Sequence, residues 1–416
     1  MAYFPRVTDA PLLEYLDVFG GVLLEGPRGC GKTSTGAQHA KSAVRLDRSA
    51  AMVELAELSP QTLLAGETPR LVDEWQLAPS LWNAMRHEID DRQARGQFIL
   101  SGSATPDDDE IRHSGAGRFG RIRMRTMSLA ESQRSSGGVS LRELRHGVSI
   151  SARSELSYAD LAAEAVRGGW PALLQASERQ ALVFNRSYMQ DLFASEIALA
   201  MGGRRDPVRM QRLIESIARN IASEATVVTL AKDVSADGGS FAPETAREYL
   251  NALSRVFVLE PLPAYSVALR SRSRLRTKPK LMLSEPALAC AALGVDATRL
   301  AGDPEFFGQV FEAMVVRDLR SLASVELGQV YHYRDNTGLE IDAILEYPGQ
   351  QWAAVEVKLG QKAVAEAEKH LLTLRDERID TDKVGDPRFL AIVTGTEFAY
   401  TLPSGVHVVP LGCLAP

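Results

Sequence analysis

The spacing of apolar residues in the first third of the chain predicts short strands that alternate with helices. The strands are expected at about residues 22–24, 44–47, 70–73, 98–101 and 121–127, and the stretches between them suit helices. Strands that alternate with helices form parallel sheets, which hold their ligands at the carboxyl ends of the strands. This region is therefore predicted to be a parallel α/β sheet with a ligand site at that edge.

The middle of the chain shows helical spacing instead. Residues 135–157 are polar and contain glycine and serine, which predicts a linker or an exposed insertion. Beyond them, five apolar residues recur as on the buried face of an amphipathic helix: Met210, Leu213, Ile214, Ile217 and Ile221. The stretches 227–235 and 243–262 flank the turn ADGGS and suggest a helix–turn–helix–wing arrangement.

The second helix of that arrangement has Pro243 in its first turn, and its apolar Ala246, Leu250 and Leu253 are expected to face a core. Its Glu244 and Glu248 are expected to be exposed, and acidic side chains are poorly suited to face DNA phosphates. A winged helix used for packing or protein contact is therefore favoured over one that reads bases.

The last third returns to strand spacing. A helix with Val310, Phe311, Met314, Val315 and Leu319 directed inward precedes the stretch GLEIDAILEYPGQQWAAVEVKLG, residues 338–360. Side chains of a strand alternate between its two faces. Asp342 is therefore on the other face of its strand from Ile341, and Glu356 shares a face with Lys358. Two neighbouring strands are thus predicted to collect carboxylates and a lysine on one face.

Composition narrows the class of protein. A chain of 416 residues favours two or three domains, and 45% hydrophobic with 24% charged residues is typical of a soluble globular protein. The net charge of -6 gives no overall attraction to nucleic acid. Cys30, Cys290 and Cys413 are too far apart for a zinc site or a disulfide framework and fit a reducing compartment. With no signal-peptide pattern at its start and no apolar run long enough for a membrane span, the chain is expected to be cytoplasmic.

The most specific motif is G-x-x-x-x-G-K-S/T, between a predicted strand and a predicted helix. It is made of Gly26, Pro27, Arg28, Gly29, Cys30, Gly31, Lys32 and Thr33. The glycines allow successive N–H groups to turn toward a phosphate, and the helix that follows directs its positive end at the anion. Lys32 can reach the β and γ phosphates, and the Thr33 hydroxyl can ligate Mg²⁺.

Two further strand ends carry residues that suit nucleotide hydrolysis. In PRLVDEWQ, Asp73 is expected to hold Mg²⁺ through water and Glu74 to polarise the attacking water; an acid-rich helix start is the alternative. In QFILSGSAT, Ser101 or Ser103 could contact the γ-phosphate or that water, although a plain strand-end turn explains these serines almost as well.

Arginines cluster after the fourth strand. Arg118, flanked by glycines, is a candidate for sensing or neutralising the γ-phosphate, and Arg121, Arg123 and Arg125 are expected to share one strand face. The alternative for all four is a basic edge strand, which its charge protects from aggregation.

The carboxylates of the last third suggest a second site. Asp342 and Glu356 could bind one or two Mg²⁺ ions, Lys358 could orient or activate a water, and Glu312 on the preceding helix could complete the set. Three half-buried carboxylates repel one another without a metal. A solvated surface is the alternative.

Basic residues also occupy every second position of ALRSRSRLRTKPK. They are Arg270, Arg272, Arg274, Arg276, Lys278 and Lys280. In an extended segment they would form one basic edge that could follow the phosphate backbone of DNA or RNA. A solvated edge strand or loop is the alternative reading of this stretch.

Four stretches resemble the AAA-type ATPases of bacteria and archaea that carry a C-terminal domain of unknown function: GPRGCGKT, LVDEWQLAPSLWNAMRHEID, FILSGSA and GAGRFGRIRMRTMSLAE. GGWPALL and TGLEIDAILE with AAVEVKLG resemble that C-terminal domain. The resemblance implies ATP binding at residues 26–33, magnesium handling by Asp73 and Glu74, and a winged helix followed by a PD-(D/E)XK nuclease-like fold. A homo-oligomer is a further possible partner, and an arginine from a neighbouring subunit could then take part in hydrolysis.

The expected organisation is an AAA-type P-loop ATPase domain at 1–134, a linker or insertion at 135–157, a helical region with a winged helix at 158–280 and a nuclease-like domain at 281–416. The expected function is ATP binding and hydrolysis by a protein that acts on, or is regulated by, nucleic acid. The alternative is a nucleotide-dependent binding or regulatory module, of a defence or toxin–antitoxin type, whose nuclease-like domain is catalytically silent.

Overall fold

The computed structural model describes residues 3–102, 115–192, 206–235, 241–266 and 278–416. The chain divides into two compact units. Unit 1 comprises Met1–Thr126 with Arg255–Phe257, and unit 2 comprises Met127–Ser254 with Val258–Pro416. The helical and C-terminal regions, which were predicted as separate domains, thus belong to one compact unit.

Unit 1 is built on a five-stranded parallel sheet, as the sequence predicts. Its strands are β1 (Gly21–Glu25), β2 (Ser42–Arg45), β3 (Arg70–Asp73), β4 (Phe98–Gly102) and β5 (Phe119–Arg123). Their order in the sheet is β2-β3-β4-β1-β5, and all neighbouring pairs are parallel. The carboxyl ends of β1, β3 and β4 therefore meet at one edge.

Both faces of this sheet are covered. The covering helices are α1 (Asp9–Val18), α2 (Lys32–His39), α3 (Ala50–Leu58), α4 (Pro60–Leu64) and α5 (Ser80–Arg92). Alternate residues of β1 pack on opposite faces: Leu23 belongs to a core with Trp82 and Phe98, whereas Val22 and Leu24 belong to a second core. A strand buried on both faces needs a continuous apolar run, which explains the run that the sequence shows there.

The described α-helices of unit 2 occur along its whole length. They are α6 (Leu141–Arg145), α7 (Tyr158–Arg167), α8 (Glu178–Asp191), α9 (Pro207–Arg219), α10 (Val227–Ser235), α11 (Pro243–Arg255), α12 (Ala287–Leu293), α13 (Ala297–Ala301), α14 (Pro304–Ser324), α15 (Val364–Thr373) and α16 (Thr381–Val384). The five apolar residues predicted to face the core from residue 210 to residue 221 are buried, and so are Ala246, Leu250 and Leu253 of α11. Of the described helices, none is both long and apolar enough to cross a membrane.

The strands of unit 2 form a seven-stranded mixed sheet and one small pair. They are β6 (Val139–Ser140), β7 (Ala152–Arg153), β8 (Gln329–Arg334), β9 (Glu340–Tyr347), β10 (Gln351–Lys358), β11 (Leu390–Thr394), β12 (Phe398–Thr401), β13 (His407–Pro410) and β14 (Leu414–Ala415). The large sheet has the order β7-β12-β13-β11-β10-β9-β8, with β8, β9 and β10 antiparallel and β10, β11 and β13 parallel.

Residues 135–157, predicted to form a linker or an exposed insertion, are mostly exposed but contain two short paired strands. Strand β6 pairs with β14, and β7 adds an edge strand to the large sheet by pairing with β12. The Ser154 N–H extends that edge by donating to the Glu397 carbonyl at 2.8 Å. These strands are joined to unit 2 through backbone hydrogen bonds, which polar side chains do not reveal in a sequence.

Two extended segments follow α11 and pair with each other in antiparallel fashion. Leu259 lies opposite Leu283, and Leu262 lies opposite Lys280, with hydrogen bonds of 2.9 and 3.0 Å between the latter two backbones. We refer to residues 258–264 and 280–284 as the hairpin. The two sides of the hairpin are connected by residues 267–277, which lie outside the described residues. They include the four predicted nucleic-acid contacts Arg270, Arg272, Arg274 and Arg276.

A buried ion cluster holds the GGWPALL motif against α14. Arg317 donates to Glu285 at 3.1 Å and to Asp318 at 2.9 Å, and the exposed fractions of these three side chains are 4%, 0% and 2%. Glu285 also accepts from the Gly169 N–H at 2.8 Å. Gly169 lies very close to Met127. A Cβ on Gly169 would be 2.1 Å from the Met127 carbonyl oxygen. The motif is thus fixed by close packing and by charge.

Replacement of Arg317 by methionine is expected to lower the free energy of unfolding of unit 2 by about 3–5 kcal/mol, because two buried carboxylates lose their counter-charge. Urea unfolding followed by tryptophan fluorescence measures this loss. Arg334→Met is the matched control, since Arg334 is 45% exposed in its pair with Glu340 and such pairs contribute at most about 1 kcal/mol. Equal losses in the two variants would contradict a stabilising role for the buried cluster.

Candidate functional site

The P-loop leaves the end of β1 and enters α2. Gly26 lies very close to the segment that follows β5. A Cβ on Gly26 would be 2.1 Å from the Met124 carbonyl oxygen. Gly29 and Gly31 have φ angles of 79° and 108°, in the left-handed region that favours glycine. These three positions explain why the loop needs glycine, and a loop of this kind that leads into a helix suits a phosphate cradle.

Lys32 is the first residue of α2 and is buried against the loop. Its ammonium group donates to the Gly26 carbonyl at 2.8 Å and to the Pro27 carbonyl at 2.9 Å. The positive charge is thereby held at the mouth of the loop, next to the N-terminus of α2. This is the place where the sequence predicts a lysine that reaches phosphates.

Asp73 ends β3 beside the P-loop. Its Oδ1 atom accepts a hydrogen bond from the Thr33 hydroxyl at 2.8 Å and another from the Ser101 hydroxyl. Residues Asp73 and Ser101 are partners in the register of β3 and β4. Hydroxyl and carboxylate oxygens side by side are the ligands that Mg²⁺ prefers, so Thr33 and Asp73 fit the ion that the motif implies.

Ser101 lies beside Asp73. The side chain of Ser101 is buried and its hydroxyl donates to Asp73, so it is placed to orient that carboxylate, and its contact with the γ-phosphate or the attacking water stays a prediction. Ser103, the other serine considered, lies outside the described residues.

Glu74 follows Asp73 in an unusual backbone conformation. Its φ of 54° and ψ of 43° place it in the left-handed region, which costs a non-glycine residue about 1–3 kcal/mol and is often found at active sites. Gln76, which the sequence analysis did not single out, donates to the Glu74 carboxylate. Glu74 is therefore held by a turn of its own, apart from the hydroxyls that bind Asp73.

Arg118 is not placed at this site. It precedes β5, and its carbonyl accepts from the N–H of Gly21 at the first residue of β1, whereas the P-loop follows the last residue of β1. A five-residue strand spans about 16 Å, so Arg118 lies at the opposite edge of the sheet, where it pairs with Asp90 at 2.6 Å. The prediction that Arg118 acts on the γ-phosphate of its own chain is wrong; Arg123 and Arg125 lie at the P-loop edge instead.

The segment before α1 contacts the P-loop, which the sequence analysis missed. The buried guanidinium of Arg6 donates to the Cys30 carbonyl at 2.7 Å and to the Arg125 carbonyl at 2.9 Å. Asp9 accepts from the Arg6 N–H at 2.8 Å and contacts His39, at the end of α2, also at 2.8 Å. This segment thus fixes both the loop and the helix that follows it. An arginine and an aspartate three residues apart, shortly before a P-loop, are the only signal in the sequence.

Unit 2 brings together the four residues of the second predicted site. Glu312 comes from α14, Asp342 from β9, and Glu356 and Lys358 from β10. Lys358 lies 2.8 Å from Glu356 and 3.8 Å from Asp342. The Val357 N–H donates to Asp342 at 2.8 Å. We call Glu312, Asp342, Glu356, Lys358 and Lys280 the carboxylate cluster.

Lys280 is the member of this cluster that the sequence analysis placed elsewhere. It was expected on an exposed basic edge, but its side chain is only 7% exposed and its ammonium lies 2.6 Å from Glu312 and 3.4 Å from Asp342. Lys280 is therefore not part of an exposed basic edge, because its position in the hairpin directs its side chain into unit 2.

The protonation tendencies of the cluster follow from burial and from its lysines. Burial, and then repulsion by Asp342, raises the pKa of Glu312 and of Glu356. Burial alone would raise the pKa of Asp342 as well, but Lys280 and Lys358 outweigh it and lower that pKa. Asp342 is therefore the carboxylate of this cluster that stays ionised most readily.

Three families of domains match this chain. Residues 19–133 match the AAA domain, residues 158–299 match a domain of unknown function (DUF8612), and residues 307–414 match another (DUF4143). The first match covers the P-loop, Asp73 and Glu74, and it supports an AAA-type P-loop domain that binds ATP.

Similar whole proteins add little about function. An uncharacterised protein of Mycobacterium tuberculosis and one of Mycobacterium bovis are each 26% identical over 341 residues, which are 80% of this chain and 68% of theirs. Among solved structures, the Walker-type ATPase PABY2304 of Pyrococcus abyssi is 13% identical at a TM-score of 0.41 over 70% of this chain and 96% of that one. AMPPCP-bound DnaA from Aquifex aeolicus is 12% identical at a TM-score of 0.28 over 60% and 85%. Both TM-scores are too low to establish a common fold over the aligned lengths.

Arg6→Ala is expected to weaken ATP binding about tenfold, because hydrogen bonds from a charged donor to the P-loop carbonyl of Cys30 and to the carbonyl of Arg125 after β5 are lost. Arg6→Lys keeps the charge but cannot span both carbonyls, so it should show an intermediate loss. Titration calorimetry with ATP and Mg²⁺ measures the affinities, and the exposed Arg48→Ala is the control. Unchanged affinity in a folded Arg6→Ala variant would show that the loop keeps its shape without this contact.

Proposed function

We propose that this protein hydrolyses ATP at the P-loop edge of unit 1. The observation that carries the proposal is the 2.8 Å contact between the Thr33 hydroxyl and Asp73 at the mouth of a glycine-lined loop. These two oxygen ligands belong to the motif pair that holds Mg²⁺ in P-loop enzymes. The AAA-domain match over residues 19–133 supports the same assignment.

Each residue of this edge has a distinct role in the proposal. The glycines at 26, 29 and 31 present N–H groups to the phosphates, and Lys32 exchanges its two carbonyl contacts for phosphate oxygens. Mg²⁺ held by Thr33 and Asp73 would neutralise charge on the β and γ phosphates. Glu74 accepts a proton from, or orients, the attacking water, and its left-handed backbone conformation directly after Asp73 is of the kind found at active sites.

Lys32→Ala is expected to abolish tight ATP binding, whereas Glu74→Gln should bind ATP and lose turnover by about 100-fold, as loss of a general base does. Calorimetry measures binding and phosphate release measures turnover. Glu54→Gln, on the exposed side of α3, is the control for a lost carboxylate. Near-normal hydrolysis by Glu74→Gln together with an inactive Asp73→Asn would assign the water to another residue.

We also propose that unit 2 combines a winged helix with a PD-(D/E)XK nuclease-like fold and that it couples ATP turnover to a partner. Helices α9, α10 and α11 followed by the hairpin support the former. The succession of Glu312 on a helix, Asp342 on β9, and Glu356 with Lys358 on β10 supports the latter. The link to nucleic acid rests on the sequence of residues 270–276 alone.

If nucleic acid is the partner, added DNA or RNA should raise ATP turnover several-fold, and the effect should fall steeply with salt because basic residues release counterions from the phosphate backbone. Replacement of Arg270, Arg272, Arg274 and Arg276 by glutamine should abolish the stimulation and leave basal turnover intact. Turnover that is indifferent to both nucleic acids would instead support the regulatory module, with a protein as its partner.

A further inference from the structure

Lys280 contacts two carboxylates that the sequence predicts as metal ligands. Its ammonium group is 2.6 Å from a Glu312 oxygen and 3.4 Å from an Asp342 oxygen, between the helix and the strand that supply them. A Mg²⁺ ion shared by these two carboxylates would need to be about 2.1 Å from each oxygen, in the same space. We propose that Lys280 takes the place of the divalent cation, so that the cluster is a metal-free ion-pair centre.

The carboxyl groups of the cluster already face two ammonium groups. Lys280 pairs with Glu312 and Asp342, and Lys358 pairs with Glu356. A divalent cation entering this set would meet both ammonium groups at close range. It would also have to expel Lys280, whose buried ammonium would lose its partners.

The oxygens that a metal needs are engaged by other donors. One oxygen of Asp342 faces Lys280, and the other accepts from the Val357 N–H. Both oxygens of Glu356 have partners as well, Lys358 on one and His370 on the other at 3.0 Å. Within the described ranges, no three histidine, cysteine, aspartate or glutamate side chains are arranged to hold a metal ion. The residues therefore do not fit the ion that the nuclease-like resemblance implies.

The cluster has a structural consequence for the hairpin. Lys280 belongs to the hairpin, Glu312 to α14 and Asp342 to β9, so the two ion pairs join three separate elements of unit 2. Lys280 also shares its backbone hydrogen bonds with Leu262 on the other side of the hairpin. Lys280 thus joins the hairpin to α14 and to the large sheet. In this arrangement Glu312 and Asp342 bind an ammonium group, and they do not hold a metal ion that could bind a scissile phosphate.

Binding of Mn²⁺ to the full chain tests this inference. All variants carry Lys32→Ala, and nucleotide is omitted, so that the nucleotide site does not contribute. The chain with native Lys280 is expected to bind no Mn²⁺ in calorimetry or by electron paramagnetic resonance at millimolar concentrations. Lys280→Ala should gain one Mn²⁺ site, at least about tenfold tighter than any residual binding, and Asp342→Asn in that background should remove it again.

Lys278→Ala is the matched control, because Lys278 is exposed and lies two residues before Lys280. It should gain no Mn²⁺ site, and Mn²⁺ should raise the melting temperature of the Lys280→Ala variant only. A Mn²⁺ site in the chain with native Lys280 that Asp342→Asn removes would overturn the inference, and this measurement stands even if Lys280→Ala does not fold. A folded Lys280→Ala variant that gains no site would overturn it too. Either failure would leave the proposed ATPase site untouched, since the two sites share no residue.

Discussion

A charge that leaves water must be compensated inside the protein, and this constraint organises unit 2 around α14. That helix carries Glu312, Arg317 and Asp318, all with little or no contact with solvent. Arg317 is neutralised by Glu285 and Asp318, and Glu312 is neutralised by Lys280. The pairings with Glu285 and with Lys280 each fix a segment that is distant in sequence, because an uncompensated buried charge would cost more than the ordering of the chain that supplies its partner.

The two clusters on α14 therefore define what surrounds it. The Arg317 cluster holds the GGWPALL motif through Glu285 and the N–H of Gly169, and Asp318 also accepts from the Leu129 N–H at 2.9 Å. The Lys280 contact holds the hairpin against the large sheet. Hydrogen bonds and ion pairs are directional, so they select one packing arrangement among many that apolar burial alone would allow. We therefore ascribe the positions of the GGWPALL motif and the hairpin to these contacts.

Sequence patterns predicted features that depend on a few neighbouring residues and failed where direction or pairing decides. The P-loop, the strand that ends at Asp73 and the apolar face of α9 follow from local spacing, and the structure has them in place. Arg118 was misplaced because a motif between two strands can lie at either edge of the sheet. It lies just before β5, and strand direction puts the start of β5 at the edge opposite the P-loop. Lys280 was misread because an alternating basic pattern looks the same whether its last residue is exposed or paired with carboxylates from distant elements.

The same residue type serves two purposes in this chain because its surroundings differ. Asp73 accepts from the hydroxyls of Thr33 and Ser101, which are neutral donors that a cation can approach or replace. Asp342 faces the ammonium groups of Lys280 and Lys358, which repel any further cation. Among the described residues, Asp73, at the end of β3, is thus free of ammonium partners that would oppose the proposed Mg²⁺, whereas Asp342, within β9, is an ion-pair partner. The nearest positive charge decides between the two, and in the C-terminal unit that charge comes from a residue whose own position in the sequence gives no hint of it.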